Sequence, residues 1–263
     1  MTVRKDALAS ETLVGNQDTS FLKIVALLCM LVDHLGAAVF TGVADMRVIG
    51  RMALPLYAWC LVVGCVKTRD PLRYALRMLL MAAVSQPLYM LALNHTWRDL
   101  NILFLLTLGV IAITGIRRKA FFSQFWAPAL CFLALGFLKI DYGWRGLAFI
   151  LLLYLTRQSK AGLVVAYLSF ALFWGNMSSN VASLFGVSFP FLTWPGLGDV
   201  FSAFFKMQTM IWLSLPLIVL PTHTNIHMPR WLGYALYPAH LIVLIIVRLT
   251  YGGATFALLA QGF

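Results

Sequence analysis

Long apolar stretches separated by short polar segments constrain this chain more than any other feature. A helix needs about 20 mostly apolar residues to cross a bilayer core, and only helices or closed barrels satisfy their backbone groups in lipid. The stretches are too long and continuous for barrel strands, which alternate polar and apolar residues. The sequence therefore predicts an all-α, polytopic integral membrane helix bundle with about 9–10 transmembrane helices. Nine predicted helices cover 22–40, 47–66, 72–93, 101–116, 122–140, 143–156, 161–175, 200–220 and 231–249.

Composition and charge agree with a membrane protein. Of the 263 residues, 61% are hydrophobic and only 11% are charged, which is too little charge to cover the surface of a soluble domain. The net charge of +11 comes from basic residues in short loops between apolar stretches. Such loops indicate topology, so we expect membrane lipid and no nucleic acid as a partner.

Metal and disulfide chemistry are not predicted. The His223 and His227 pair has helical spacing but no acidic neighbour, so we predict no metal site. The four cysteines lie within apolar stretches, form no CxxC pair, and are interpreted as packing residues. They are Cys29, Cys60, Cys65 and Cys131.

The chain divides into a short polar segment and one membrane domain. Residues 1–20 have no apolar core, so we expect a cytoplasmic N-terminal segment rather than a cleavable signal peptide. Residues 21–263 show neither an internal repeat nor a linker and are predicted to form a single transmembrane helical domain. The range 176–199 contains Pro190 and Pro195. We interpret it as an outer loop with interfacial or re-entrant pieces, or as a hidden tenth helix.

The orientation follows from the basic residues of alternate loops. One set of loops is rich in positive charge, and by the positive-inside rule that side is cytoplasmic, together with the N-terminus. The other loops carry little positive charge. The cytoplasmic set contains Lys67, Arg69, Arg73, Arg77, Arg117, Arg118, Lys119, Arg157 and Lys160.

Polar residues inside the predicted helices are few and therefore informative, because ionisable groups are costly in a bilayer and usually face the bundle interior. From the helical rise and the topology, most of them fall in the outer half of the membrane, with His240 nearer to mid-depth. We predict that they line one polar cavity open to the outside. The set comprises Asp33, His34, Arg51, Gln86, Asn101, Asp141, Tyr142, Tyr237 and His240.

Two relationships within this set can be predicted. Asp33 and His34 project about 100° apart on a helix, so Asp33 is expected to pair across to Arg51, leaving His34 free to act as a base. Tyr237 and His240 are three residues apart and share a helix face. Each residue taken singly has a structural interpretation, but together they favour a functional cavity. They do not name the reaction, because a proton-coupled transporter uses the same residue types.

Five short motifs in order resemble one known family. The motifs are Val32-Asp33-His34, Gly50-Arg51-Met52-Ala53-Leu54-Pro55-Leu56-Tyr57-Ala58, Asn101-Ile102-Leu103-Phe104, Tyr142-Gly143 and Tyr237-Pro238-Ala239-His240-Leu241. They occur between residue 32 and about residue 244, and the pattern resembles that of the TraX family of conjugative-pilin N-acetyltransferases.

The resemblance implies an enzyme of the bacterial inner membrane. It implies transfer of an acetyl group from acetyl-CoA to the N-terminal amine of a pilin subunit, itself a small apolar membrane protein. The family is also similar to multispanning acyltransferases that use an intramembrane histidine.

Under this hypothesis the residues take separate roles. His34 would be the general base or carry an acetyl-histidine intermediate, and Asp33 and Arg51 would hold the site in shape. Asn101 or Tyr142 would donate to the thioester oxyanion. His240 is included with the catalytic set, and Tyr57, Gln86, Asp141 and Tyr237 are expected to line the cavity. The basic residues Arg73, Arg77, Arg117 and Arg118 are candidates for the CoA phosphates, or serve topology alone.

Three alternatives stay open from the sequence. One is an acyltransferase with another acceptor, such as a glycan or a small amine. The second is a proton-coupled transporter, against which the low helix count and the lack of a repeat argue. The third is a non-enzymatic assembly or anchoring protein.

Overall fold

The chain folds almost entirely into helices. A computed structural model describes residues 12–251, so of the predicted polar segment 1–20 only residues 12–20 are described. Two short antiparallel strands, β1 (Ser183–Leu184) and β2 (Val187–Ser188), form a hairpin. The other β pairings among the described residues are isolated bridges. The helices are α1 (Thr19–Ala38), α2 (Ala44–Gly50), α3 (Ala53–Lys67), α4 (Pro71–Leu93), α5 (Ile102–Arg118), α6 (Ser123–Phe137), α7 (Gly143–Thr156), α8 (Lys160–Gly175), α9 (Leu197–Phe204), α10 (Leu215–Val219) and α11 (Arg230–Tyr251).

Five helical segments of the described chain are long and apolar enough to cross a membrane. They confirm the predicted all-α membrane fold class. Shorter apolar helices accompany them at Gly143–Thr156, Lys160–Gly175 and Thr209–Val219. The five long segments are Thr19–Ala38, Ala44–Lys67, Pro71–Leu93, Ala120–Phe137 and Trp231–Thr250.

Polar caps fix where several helices begin. Asp18 caps α1 by accepting a hydrogen bond from the Phe21 amide, and Asp70 caps α4 by accepting from Arg73. These side chains satisfy amide groups that no intrahelical carbonyl reaches. Asn101 caps α5 in the same way, so this residue lies just before the helix that was predicted to begin with it.

The second predicted helix is divided at Arg51. Pro55 has no amide hydrogen, so the carbonyl of Arg51 cannot make the usual bond four residues along the helix. Residues 51–52 form a turn between α2 and α3. The two pieces still form one apolar segment, Ala44–Lys67, and the break places the Arg51 side chain at the end of the bundle.

The predicted continuous helix over 200–220 is wrong. After α9 the chain leaves the helical path and bonds to the segment that follows α8, because Met207 donates to the Ser179 carbonyl and Lys206 to the Asn176 carbonyl. A 3-10 turn at Thr209–Ser214 then leads into α10. The range 176–199, which was predicted to be an outer loop or a hidden tenth helix, contains the hairpin and a 3-10 turn at Pro190–Thr193. It lacks the long helix that a tenth span requires.

Helix α3 lies at the centre of the bundle. Twelve of its 15 residues are buried, so protein surrounds it on all sides. Helices α1, α4, α5, α7 and α11 contribute to the same hydrophobic core. Helix α6 instead exposes large apolar side chains such as Phe125, Leu133 and Phe137, as a lipid-facing helix does.

Candidate active site

An ion-pair node lies where α1 meets the turn between α2 and α3. Asp33 is only 7% exposed, and its two carboxylate oxygens are each matched by a guanidinium. Arg51 Nη2 lies 2.8 Å from Oδ1, and Arg47 Nη1 lies 3.0 Å from Oδ2. The predicted pairing of Asp33 with Arg51 is present, and Arg47 is a second partner that was not predicted. A buried carboxylate held by two cations satisfies the requirement that buried charges be paired.

Gly50 allows this node to form. A Cβ atom added at Gly50 would overlap the Oδ1, Cγ and Cβ atoms of Asp33. Glycine at this position is therefore a packing requirement of the node and not merely a feature of the turn.

Two histidines from different helices meet beside the node. Nε2 of His240, on α11, lies 3.3 Å from Nδ1 of His34, on α1. Their rings stack with centroids 5.3 Å apart, and the Tyr237 ring packs edge-on to His240 at 5.0 Å. His240 is only 4% exposed. The other ring nitrogen of His34 hydrogen-bonds to none of the described residues, so it is available to a ligand.

His34 opens into a polar cavity of about 690 Å³, here called the histidine cavity. The cavity lies at the end of the bundle where α1, α4 and α11 finish and α7 begins. Its wall contains four arginines, two aspartates, a second histidine from the segment after α4, and aromatic rings. The polar and aromatic lining comprises Asp33, His34, Arg47, Arg51, Tyr89, Asn94, His95, Asp141, Tyr142, Arg145, Trp174, Gln208 and Arg248.

Asp141 and Tyr142 enter the cavity from the turn before α7. Tyr142 adopts a left-handed backbone conformation (φ 62°), and its amide donates to Asp141 Oδ1 at 3.0 Å. Burial away from water raises the pKa of Asp141 to about 6, since nothing within ion-pair distance in the described chain neutralises it. Asp141 is therefore a carboxylate that changes charge close to neutral pH.

A charged cluster lies beside the histidine cavity and contributes His95 to its wall. Asp99 pairs with Lys139, while its other oxygen accepts from the Thr96 amide at 2.9 Å and lies 3.9 Å from His95 Nδ1. The hydrogen bonds from Lys139 and Thr96 hold the pKa of Asp99 well below its usual range. Partial burial lowers the pKa of His95, whose ring stacks on Tyr89.

A second cavity of about 700 Å³, here called the basic cavity, opens at the other end of the bundle. It lies where α1, α4 and α11 begin and α3 ends. The predicted cavity residues Tyr57 and Tyr237 are in its wall, as are the predicted phosphate ligands Arg73 and Arg77. Its charged residues are Lys23, Lys67, Arg69, Asp70, Arg73 and Arg77.

The two cavities share no lining residue, and Tyr237 stands between them. This tyrosine lines the basic cavity and touches His240, which in turn stacks on His34 in the histidine cavity. The predicted single cavity is therefore two, separated by the buried side chains of Tyr237 and His240 and the half-buried side chain of His34.

Two predicted site residues lie outside both linings. The Asn101 side chain is fully buried, where it donates to the Ala82 carbonyl and to Gln86 Oε1 and accepts from Leu103. Gln86 donates onward to the Asp99 carbonyl at 2.8 Å. This network ties α4 to α5, and both amide hydrogens of Asn101 are occupied by it.

The two arginines after α5 also lie outside both linings. Arg117 donates to the carbonyls of Cys65 and Val66 at the end of α3, and Arg118 is exposed. The sequence could not separate them from Arg73 and Arg77, because all four have the same charge and the same predicted side.

The sequence reasoning missed several wall residues. Gln208 accepts from Arg51 Nη1 at 3.2 Å, and Arg248 Nη1 donates to the Leu91 and Ala92 carbonyls at the end of α4. Arg248 had a signal, since a charge near the end of an apolar helix needs a partner. Gln208 had the same signal as Gln86, a polar side chain inside a predicted apolar helix, but it was not included in the predicted set. Among the described residues no group of three metal-ligating side chains comes together.

These features define a class: a multispanning membrane protein in which a pair of histidines, one buried and one facing a cavity, lies between a basic cavity and a second, polar one. Comparison of sequences assigns the family. The model of the TraX protein family matches residues 18–248, so the chain belongs to that family.

Two curated relatives match part of the chain at less than 30% identity. A probable fimbrial assembly protein FimC (serogroup H1) of Dichelobacter nodosus is 28% identical over 162 residues, covering 56% of this chain and 66% of the relative. An uncharacterized protein of Rickettsia prowazekii (strain Madrid E) is 26% identical over 149 residues, covering 54% of this chain and 57% of the relative. The chain thus spans less than two thirds of the length of each. No solved structure matches it.

Proposed function

We propose that this protein is a membrane-embedded acetyltransferase that moves an acetyl group from acetyl-CoA to the N-terminal amine of a pilin subunit. Membership of the TraX family and the fimbrial-assembly name of one relative support a pilus-related role. The observation that carries the proposal is the histidine pair between two cavities, one basic and one polar. This arrangement suits a phosphorylated donor at one end of the bundle and an acceptor at the other.

The basic cavity is the proposed donor site. Its end of the bundle would lie on the cytoplasmic side of a bacterial inner membrane. Five cationic side chains and one aspartate line it, which suits the phosphates of CoA. Arg73 and Arg77 lie one turn apart on α4, Lys23 and Lys67 lie near the start of α1 and at the end of α3, and Arg69 lies in the connection between α3 and α4. The thioester arm would extend along the wall toward Tyr57 and Tyr237. For the acetyl group to reach His34, the Tyr237 ring that separates the two cavities has to turn aside.

His240 is the proposed positioning residue for His34. Its ring interacts with the backbone carbonyls of Leu236 and Tyr237, although the contact falls short of full hydrogen-bond geometry. Only a protonated ring nitrogen gains from a carbonyl, and Nε2 faces His34, so we infer that Nδ1 of His240 carries the proton. Nε2 of His240 then accepts from Nδ1 of His34. The remaining nitrogen of His34, Nε2, keeps its lone pair.

The chemistry follows from that free lone pair. The acceptor nitrogen attacks the thioester carbonyl, the carbon–sulfur bond breaks, His34 Nε2 takes the proton lost by the nitrogen, and CoA leaves as the thiol after protonation. A two-step route, in which His34 first carries the acetyl group, uses the same nitrogen. Asp33, held by Arg47 and Arg51, fixes the neighbouring end of α1 and so the position of His34.

The test is acetyl transfer by the purified protein in lipid nanodiscs, with radiolabelled acetyl-CoA and a pilin preparation with a free amino terminus. We expect label in the pilin with the wild type and none with His34→Gln. His223→Gln is the matched control, because His223 is exposed and outside both cavities. Equal labelling by His34→Gln and wild type would refute the role of His34. Absence of labelling with every variant would refute the activity.

A further inference from the structure

Asp141 differs from the other aspartate of the histidine cavity in having no ion-pair partner. Both oxygens of Asp33 are matched by guanidinium groups, at 2.8 and 3.0 Å. Asp141, on the same cavity wall, accepts only the short-range bond from the Tyr142 amide and makes no ion pair with any residue of the described chain. A half-buried carboxylate without a counterion is costly unless a ligand supplies the missing charge.

The arginines of the cavity do not fill this need. Arg47 and Arg51 point to Asp33, and Arg248 donates to the carbonyls that end α4. Arg145 lies one turn beyond Asp141 and is exposed, with its guanidinium 5.4 Å from the centre of the Trp144 ring. Each guanidinium thus has its own neighbour, and the Asp141 carboxylate remains open toward the cavity that His34 also lines.

We propose that Asp141 binds the amino terminus of the acceptor as the ammonium, which makes the histidine cavity selective for a primary amine over a hydroxyl or an acylated nitrogen. The bound ammonium releases one proton to water before its nitrogen attacks, and the proton lost during the attack goes to Nε2 of His34. The inference rests on the proposed function for the identity of the reaction, but not for the binding itself. A hydroxyl acceptor, such as that of a glycan, brings no charge to match the carboxylate. The acetylated product has also lost its charge, so the same residue favours its release.

Binding can be measured separately from acetyl transfer. The probes are two short Ala/Leu peptide amides that differ only at the amino terminus, one free and one acetylated, titrated into nanodisc-held protein without acetyl-CoA at neutral pH. For the wild type we expect the free peptide to bind about tenfold more tightly or better, the size of a charge-assisted contact. Asp141→Asn should bring the two peptides to equal affinity.

Asp45→Asn is the matched control. Asp45 lies near the same end of the bundle but outside the cavity, where it accepts from the Phe185 amide. It should leave the preference for the free amine intact. In turnover assays Asp141→Asn should raise KM for the peptide and leave KM for acetyl-CoA unchanged.

The outcomes separate this inference from the proposed function. Selective binding of the free amine that Asp141→Asn abolishes, without acetyl transfer by the wild type, would support the amine site and refute the acetyltransferase. Acetyl transfer with unchanged KM in Asp141→Asn would refute the role of Asp141. Equal binding of both peptides by the wild type, or stronger binding of the acetylated one, would also overturn it.

Discussion

Replacing Gly50 with alanine should disable the protein through a single methyl group. A Gly→Ala change in a helix ordinarily stabilises by up to about 1 kcal/mol. Here the methyl would overlap three atoms of Asp33, one of them its Cβ, so the aspartate cannot yield by rotating its carboxylate alone. Restoring ordinary contact requires a displacement of about 1 Å or more.

That displacement breaks the node. The ion pairs at 2.8 and 3.0 Å cannot both survive it, and disrupting a buried pair costs up to about 3–5 kcal/mol. Allowing for partial relaxation, we expect Gly50→Ala to lose about 2–3 kcal/mol of stability. Because His34 follows Asp33, acetyl transfer should fall by about a hundredfold, the effect of a misplacement of this size.

The assay compares thermal unfolding in nanodiscs with acetyl transfer at a temperature where every variant is folded. Gly136→Ala is the matched control, since Gly136 lies in α6 and its added Cβ would meet nothing within 4 Å. It should be neutral or slightly stabilising and fully active. A Gly50→Ala protein with wild-type stability and activity would refute the argument that the node positions His34.

Three further predictions follow from other parts of the molecule. Arg73→Gln and Arg77→Gln should each raise KM for acetyl-CoA with little effect on KM for the acceptor. Lys160→Gln, at an exposed residue outside the basic cavity, should change neither KM. An unchanged KM for acetyl-CoA in both arginine variants would refute the basic cavity as the donor site. Affinity for a free-amine peptide should fall as pH drops through about 6, because protonation of Asp141 removes its charge, and Asp141→Asn should flatten this dependence in binding titrations. The pKa of Asp99 is lower in the folded protein than in the unfolded chain, where an aspartate has a pKa of about 4. The ionised carboxylate therefore stabilises the folded state at pH values above about 4, and this stabilisation is lost as the pH falls through the folded-state pKa. Asp99→Asn should therefore lower the melting temperature at pH 7 and converge with the wild type in acid, and a constant difference at all pH values would contradict this origin.

The helical class and part of the site could be predicted because they depend on local composition. Apolar stretches near 20 residues long specify membrane helices in almost any context, and the Asp33–Arg51 pair follows from the cost of an unpaired charge. The helices predicted to start at residues 22 and 72 begin at Thr19 and Pro71, each after an aspartate cap that was not predicted.

Other features depend on tertiary contacts that no local pattern encodes. The helix expected over 200–220 does not form, because the amides of Met207 and Gln208 donate to Ser179 and Ser178, after α8, instead of to carbonyls of their own turn. Asn101 was a candidate oxyanion donor by depth alone, but its neighbours Ala82 and Gln86 occupy both of its amide hydrogens. The division into two cavities depends on where the Tyr237 ring packs, which periodicity cannot specify.

The most direct test of the central hypothesis is the intact mass of the pilin from cells that produce the wild-type protein, His34→Gln or His223→Gln. The account predicts pilin heavier by one acetyl group, located at its amino terminus, with the wild type and His223→Gln, and unmodified pilin with His34→Gln. Acetylated pilin in the His34→Gln cells, or unmodified pilin in the wild-type cells, would contradict it.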